Sequence, residues 1–162
     1  LIKPLAKTLA QVYKNVVRCN NCGNLKSANS NCICLSNKYE QICVVENIAD
    51  MWAIETTGIY KGQYHILGGT LPSFENQGAE NGLLIDSLIN RVKKNSVKEV
   101  ILATSASIEG ETTSHYISDS LKDAKVKITR LAKGVPVGGE IEFLDDGTLF
   151  SAFKNRKPIA NG

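Results

Sequence analysis

The sequence predicts an α/β chain: a mostly parallel sheet flanked by helices, with a small four-cysteine zinc module and an amino-terminal helix. Three observations carry that expectation. Short apolar runs alternate with helix-period segments between residues 42 and 130, the order that builds parallel strands with helices packed on them. Four cysteines, Cys19, Cys22, Cys32 and Cys34, fall within sixteen consecutive residues ahead of that alternation. Before the cysteines, apolar residues recur at intervals of three and four.

The amino-terminal helix is expected over residues 1–18. Ile2, Leu5, Leu9, Tyr13 and Val16 form its apolar stripe, and Lys3, Lys7 and Lys14 supply a wet face. Pro4 is tolerated because it falls in the first turn. A chain that opens on Leu1 is expected to be a trimmed piece of a longer one.

Residues 19–38 are rich in Asn, Ser and Cys and have little apolar periodicity, so burial alone cannot hold them. The spacing is Cys19-x2-Cys22, then nine residues, then Cys32-x-Cys34. Two cysteine pairs on neighbouring turns can supply the four thiolate corners that zinc prefers. Binding would contribute folding free energy on the order of 10 kcal/mol. A closed four-sulfur shell leaves no position for water, so the metal would be structural. The alternative is free thiols, or thiols paired by oxidation. The Cys-x-Cys pair is tighter than the usual knuckle, so altered loop geometry and reduced affinity are expected. Cys43 lies inside an apolar run and reads as a small buried hydrophobe. An odd cysteine count without an apolar leader points to a reducing compartment.

From residue 39 to 133 the elements follow in turn. Ile42–Val45 reads as a strand buried on both faces, closed by Glu46. Asn47 is placed to cap a helix with Asp50 three residues on and Ile48, Met51 and Trp52 on one face. Tyr64–Leu67 is a second strand, broken by Gly68-Gly69, and residues 83–94 a helix with Ile85, Leu88, Ile89 and Val92 inward. Val100–Ala103 is a third strand, residues 108–122 a helix burying Thr113, Tyr116, Ile117 and Leu121, and Val126–Arg130 a fourth strand. Residues 134–162 hold Gly134-Val-Pro-Val-Gly-Gly139, a short strand Glu140–Leu144, an Asp-Asp-Gly turn and a small helix over Leu149–Lys154.

Composition narrows the classes. With 43% hydrophobic and 22% charged residues in 162, the chain can bury a core, which argues against disorder. No run has the length needed to span a bilayer, and a net charge of +3 singles out no partner.

Function in an open parallel sheet gathers at the carboxyl ends of the strands. Glu46 follows the first strand, Asp50 lies just beyond it, and Glu109 and Glu111 follow the third. These carboxylates can be read as magnesium ligands. They can equally be read as first-turn acids favoured by the helix dipole, with Ser107 as cap. His65 in a strand and His115 in a helix read as structural or surface residues. Lys14 and Arg18 flank the cysteine knuckle and are the candidate DNA contacts; Lys93, Lys94, Lys154, Arg156 and Lys157 read as solvated surface.

The ordered set of a cysteine knuckle, Ile42-Cys-Val-Val-Glu46 with Ala49-Asp50, Ile101-Leu-Ala-Thr104, Glu109-Gly-Glu111-Thr112 and Gly134-Val-Pro-Val-Gly-Gly-Glu140 resembles the RecR family of bacterial recombination mediators. The likeness runs from Cys19 nearly to the carboxy terminus. It implies a zinc finger over 19–38, a Toprim domain over 39–133 and a subunit-contact segment over 134–162. It further implies a non-catalytic DNA-repair scaffold of the DNA-clamp type. Such a scaffold assembles into a dimer or tetramer ring in the bacterial cytoplasm at the nucleoid. With RecO and RecF it loads recombinase at gapped DNA. On this resemblance Glu46, Asp50, Glu109 and Glu111 occupy the family's acidic Toprim positions and serve partner contacts.

Three departures stand out. The family's helix-hairpin-helix does not precede Leu1, so weak DNA binding and impaired ring assembly are expected of this chain. Asn31 stands where the family places a cysteine, with Cys32 beside it, and Ser105 where the family often has Asn. Catalytic Toprim domains pair a glutamate with Asp-x-Asp, whereas this chain has Glu109-Gly110-Glu111. The extra methylenes shift the oxygens from the tight octahedron magnesium demands, so the chain reads as a non-enzyme. The competing reading is a magnesium-dependent Toprim nuclease or primase-like enzyme, and a third is an oligomerising protein without a DNA role.

Overall fold

The computed structural model describes residues 2–35, 39–71, 82–95 and 97–159. Residues Leu1–Arg130 and Leu131–Gly162 form two compact units. The first opens with helix α1, Ile2–Asn15. It is shorter than the expected 1–18 because Val16–Arg18 becomes strand β1 and pairs antiparallel with β2, Leu25–Ser27. Two adjacent β-branched valines favour that extended pairing over another helical turn. No residue of α1 is buried, and Ile2, Leu5, Leu9 and Tyr13 of its apolar stripe lie open.

The first cysteine pair occupies the tip of the β1–β2 hairpin, closed by hydrogen bonds from Cys19 N to Asn24 O and from Gly23 N to Cys19 O, both 2.8 Å. Cys34 lies in a single 3₁₀ turn, Ile33–Leu35. That turn brings the tight Cys-x-Cys pair onto one side.

The remainder of this unit is organised by a four-stranded, all-parallel sheet in the order β4-β3-β5-β6. Its strands are β3 (Gln41–Val45), β4 (Gln63–Ile66), β5 (Glu99–Ala103) and β6 (Lys127–Arg130). Three helices connect them: α2 (Ile48–Thr57), α3 (Ile85–Lys94) and α4 (Ile108–Ser120). The run Ile42–Val45 is buried on both faces because strand side chains alternate. Ile42 and Val44 join Leu88 and Val92 of α3 and Ile117 of α4 in one core. Cys43 and Val45 join Met51 of α2 in the other. Full burial of each such aliphatic side chain stabilises the fold by about 1.5–3 kcal/mol.

Caps set the helix starts. Asn47 Oδ1 accepts from Asp50 N at 2.9 Å, and Ser107 Oγ accepts from Gly110 N at 3.1 Å. Two expected core residues are displaced. Tyr116 is 44% exposed and Trp52 55% exposed, because each is a helical step of about 100° from the neighbour that faces the sheet, Ile117 or Met51.

In the second unit, the expected strand Glu140–Leu144 is instead a 3₁₀ turn over Ile141–Phe143. Among the described residues no strand pairs with it to take its ladder hydrogen bonds. Asp145 caps rather than turns: its carboxylate accepts from Thr148 N at 2.9 Å and from Thr148 Oγ1 at 2.6 Å. These bonds hold its carboxyl below the usual range and start helix α5 at Asp146, running to Lys154. None of the described residues of this unit is buried. Among the described residues no helix is long and apolar enough to cross a membrane.

Candidate metal centre and acidic sheet edge

The hairpin tip and the 3₁₀ turn bring Cys19, Cys22, Cys32 and Cys34 together, all buried and with their sulfur atoms within 4.8 Å of one another. The Sγ–Sγ separation is 3.8 Å for Cys19 and Cys34, and 3.5 Å for Cys22 and Cys32. A tetrahedron with zinc–sulfur bonds of about 2.3 Å has edges of about 3.8 Å. The four thiols therefore fit a single zinc ion, and the displaced third cysteine still reaches the cluster. No disulfide joins any of the five cysteines.

The thiols are not equivalent. Burial opposes ionisation of Cys19, but backbone N–H groups of Asn21 and Cys22 outweigh it and hold the thiol at about 7. Burial raises Cys22 and Cys34, the latter against a hydrogen bond from the Asn21 side chain. Cys43 stands apart in the core, where burial pushes its thiol up to about 11.

The module is fastened to the sheet by a set of bonds that motif spacing did not disclose. Ile66 N at the end of β4 donates to Cys22 O at 2.8 Å. Arg18 donates from Nε to Gly23 O at 3.3 Å and from Nη2 to Ile66 O at 3.1 Å. Ser87 Oγ of α3 donates to Asn21 O at 2.7 Å. Gly23 has φ of +77°, and a Cβ there would run into the Ile66 carbonyl oxygen. Arg18, a candidate DNA contact, thus spends much of its guanidinium on backbone carbonyls, while Lys14 stays exposed at the end of α1.

Beside this junction lies a buried polar group of α3 and β4. Arg91, 2% exposed, donates through Nη1 to Tyr64 O and His65 Nδ1, each at 3.0 Å, and through Nε to Tyr39 Oη at 3.2 Å. His65 Nε2 meets Leu84 O at 2.8 Å. His65 is a structural residue, and burial together with the Arg91 cation lowers its pKa to about 3. The sign of this network in the sequence is Arg91 itself, a cation three residues on from Leu88 on the apolar side of α3.

At the carboxyl ends of the strands, the side chains of Glu46 and Glu111 are bonded within the fold. Glu46 Oε1 accepts from Ser105 N at 2.6 Å, tying the end of β3 to the loop after β5. Glu109 and Glu111 lie in the first turn of α4, and Asp50 in that of α2. Glu111 Oε2 pairs with Arg130 Nη1 at 2.8 Å. Gly110 lets the helix start pass against Ser105, whose backbone oxygen a Cβ would strike. Among the described residues, the four cysteines are the one group of three or more potential ligands brought together. No three of Glu46, Asp50, Glu109 and Glu111 converge. The opposite end of the sheet carries a cleft of about 600 Å³, where Lys98 pairs with Glu40 at 2.6 Å and Lys127 lies 3.9 Å from Glu99.

The family model of the Toprim domain matches residues 40–132, and that of the RecR carboxy-terminal region matches residues 134–157. The Recombination protein RecR of Pelagibacter ubique (strain HTCC1062) is 59% identical over 162 residues, covering 98% of this chain and 79% of the relative. The proteins of that name from Ruegeria sp. (strain TM1040) and Rhizobium meliloti (strain 1021) are each 45% identical over 161 residues, covering 98% of this chain and 80% of the relative. A cysteine knuckle sewn to a parallel sheet of Toprim type, with likeness of this extent across both, places the chain in the RecR family.

Proposed function

We propose that this chain is the zinc-finger and Toprim portion of a non-catalytic mediator of DNA recombination and repair. It acts with RecO and RecF to load recombinase at gapped DNA or single-strand/double-strand junctions. The observation that carries the reading is the 59% identity to a protein named for recombination, over an alignment that spans both the metal module and the sheet. Cys19, Cys22, Cys32 and Cys34 hold a structural zinc ion. When bound, that ion links the hairpin to the 3₁₀ turn and keeps the ligands as thiolates.

The non-enzymatic assignment draws support from the uses of the acidic edge. Magnesium chemistry needs carboxylates converging on one ion, whereas here Glu111 faces Arg130 and Glu46 faces a backbone N–H. Glu46, Asp50, Glu109 and Glu111 serve instead as an acidic docking edge for protein partners. Residues 134–162 contribute to contacts between copies in a dimer or tetramer ring, and Lys14, with what remains free of Arg18, meets DNA phosphate.

The test is an assay of recombinase loading on gapped DNA coated with single-strand-binding protein, in the presence of RecO and RecF. Charge reversal of Glu109 and Asp50 should abolish stimulation while leaving zinc content at one per chain. Magnesium-dependent cleavage of DNA that Glu46→Gln abolishes would overturn the proposal in favour of a Toprim nuclease. Binding to gapped DNA that does not weaken with salt would count against phosphate contacts.

A further inference from the structure

Asn21, inside the first knuckle, makes two hydrogen bonds to the cysteine sulfurs and a third to helix α3. Asn21 N donates to Cys19 Sγ at 3.4 Å, and its side-chain Nδ2 donates to Cys34 Sγ at 3.3 Å. Its carbonyl oxygen accepts from Ser87 Oγ of α3 at 2.7 Å. Four thiolates around one divalent cation carry a net charge of minus two, and all four sulfur-bearing residues are buried. Buried negative charge is costly unless hydrogen-bond donors face it. Asn21 provides two such donors, one to a sulfur of each cysteine pair. It reaches across the site, from the first pair to the far member of the Cys-x-Cys pair. The backbone carbonyl of the same residue is hydrogen-bonded to α3, so the main chain that carries the amide is anchored from outside the cluster.

From these contacts we infer that Asn21 is a positioning residue of the zinc centre: its amide stabilises the Cys34 thiolate, and Ser87 anchors the backbone from which that amide projects. This rests on the zinc reading above. The role is that of a partner behind the ligands, and removal of such partners typically lowers metal affinity about 10- to 100-fold. A donor also draws electron density from the sulfur it faces, so its loss should move the sulfur-to-metal charge-transfer band of the cobalt-substituted protein to longer wavelength.

The experiment compares the whole chain with Asn21→Ala, Asn21→Asp and Ser87→Ala. Zinc affinity is measured by competition with a chromophoric chelator, and the charge-transfer band after loading with Co²⁺. Asn21→Ala should bind zinc about 10- to 100-fold more weakly. Asn21→Asp, which keeps the shape but faces Cys34 with a carboxylate, should be weaker still. Ser87→Ala should show a smaller loss in the same direction, and the cobalt band should shift in both Asn21 variants. Wild-type affinity in Asn21→Ala overturns the inference even if Asn21→Asp is impaired, since charge repulsion alone would then explain the loss. Weaker binding with an unmoved cobalt band also overturns it, by reducing Asn21 to a packing role. If the unaltered chain binds neither zinc nor cobalt, the zinc reading itself fails.

Discussion

Mild acid should destabilise this chain through one buried histidine. His65 is fully buried, its Nε2 meets the Leu84 carbonyl, and its Nδ1 faces the Arg91 guanidinium at 3.0 Å. Nδ1 must accept from Arg91, so Nε2 carries the proton in the neutral ring. A second proton would have to be placed on Nδ1, against a buried cation, with Arg18 adding to the repulsion. The folded-state pKa falls to about 3 from an unfolded value of 6.5. The sign follows: the unfolded chain binds a proton below 6.5 that the folded chain refuses. Stability is therefore full above that pH and declines as pH falls toward 3. The slope is about 1.4 kcal/mol per pH unit, so lowering the pH from 6.5 to 5 removes about 2 kcal/mol before most carboxylates titrate. The chain has two histidines, and the other, His115, is exposed. Urea denaturation of the wild type and His65→Gln between pH 7 and pH 5 isolates the effect. The variant should start less stable, but its stability should vary less with pH. Parallel pH profiles would refute the reasoning. So would a histidine ring signal assigned to His65 that titrates near 6.5 by NMR, a measurement that stands even if the variant folds poorly.

Other substitutions probe the junctions. Gly23→Ala should cost more than about 2 kcal/mol, from a positive φ and a collision with the Ile66 carbonyl, read as a lower thermal midpoint with reduced zinc retention. Cys32→Ser should drop zinc from one per chain to well below that by elemental analysis. Cys43→Ser should leave zinc content unchanged while destabilising the fold by about 1–3 kcal/mol, since a hydroxyl replaces a core thiol. Glu46→Ala should cost about 1 kcal/mol by denaturant titration, because the Ser105 N–H loses its acceptor in a partly wet setting. Glu46→Gln, which keeps an acceptor oxygen, should cost less.

What could be read in advance was whatever the chain encodes locally. Ile42–Val45 announces a strand covered on both faces, and Asn47 and Ser107 each sit three residues before the N–H they accept from. The cysteines are close enough in sequence that their meeting follows from two turns. The remainder depends on partners far along the chain. Arg18 bonds to a carbonyl forty-eight residues away, and Arg91 to a histidine twenty-six residues away; neither pairing leaves a trace in spacing. Val16–Arg18 continues a helical periodicity but is drawn into the hairpin once β2 is available. Ile141–Phe143 has the composition of a strand, and among the described residues no strand pairs with it. The acidic set was legible as residues at strand ends, but whether the carboxylates point together or toward Arg130 and Ser105 is decided by tertiary geometry.

The cysteine hairpin also guards a vulnerable margin. β4 is the outermost strand on its side of the sheet, and such a margin offers outward-facing amides and carbonyls to any extended segment that drifts past. Here the Ile66 amide is already taken by Cys22 and the Ile66 carbonyl by Arg18. Stripping the metal would slacken the loop that carries Cys22 and unmask that margin. Chelator-treated protein should therefore clump by strand addition well before its central sheet melts.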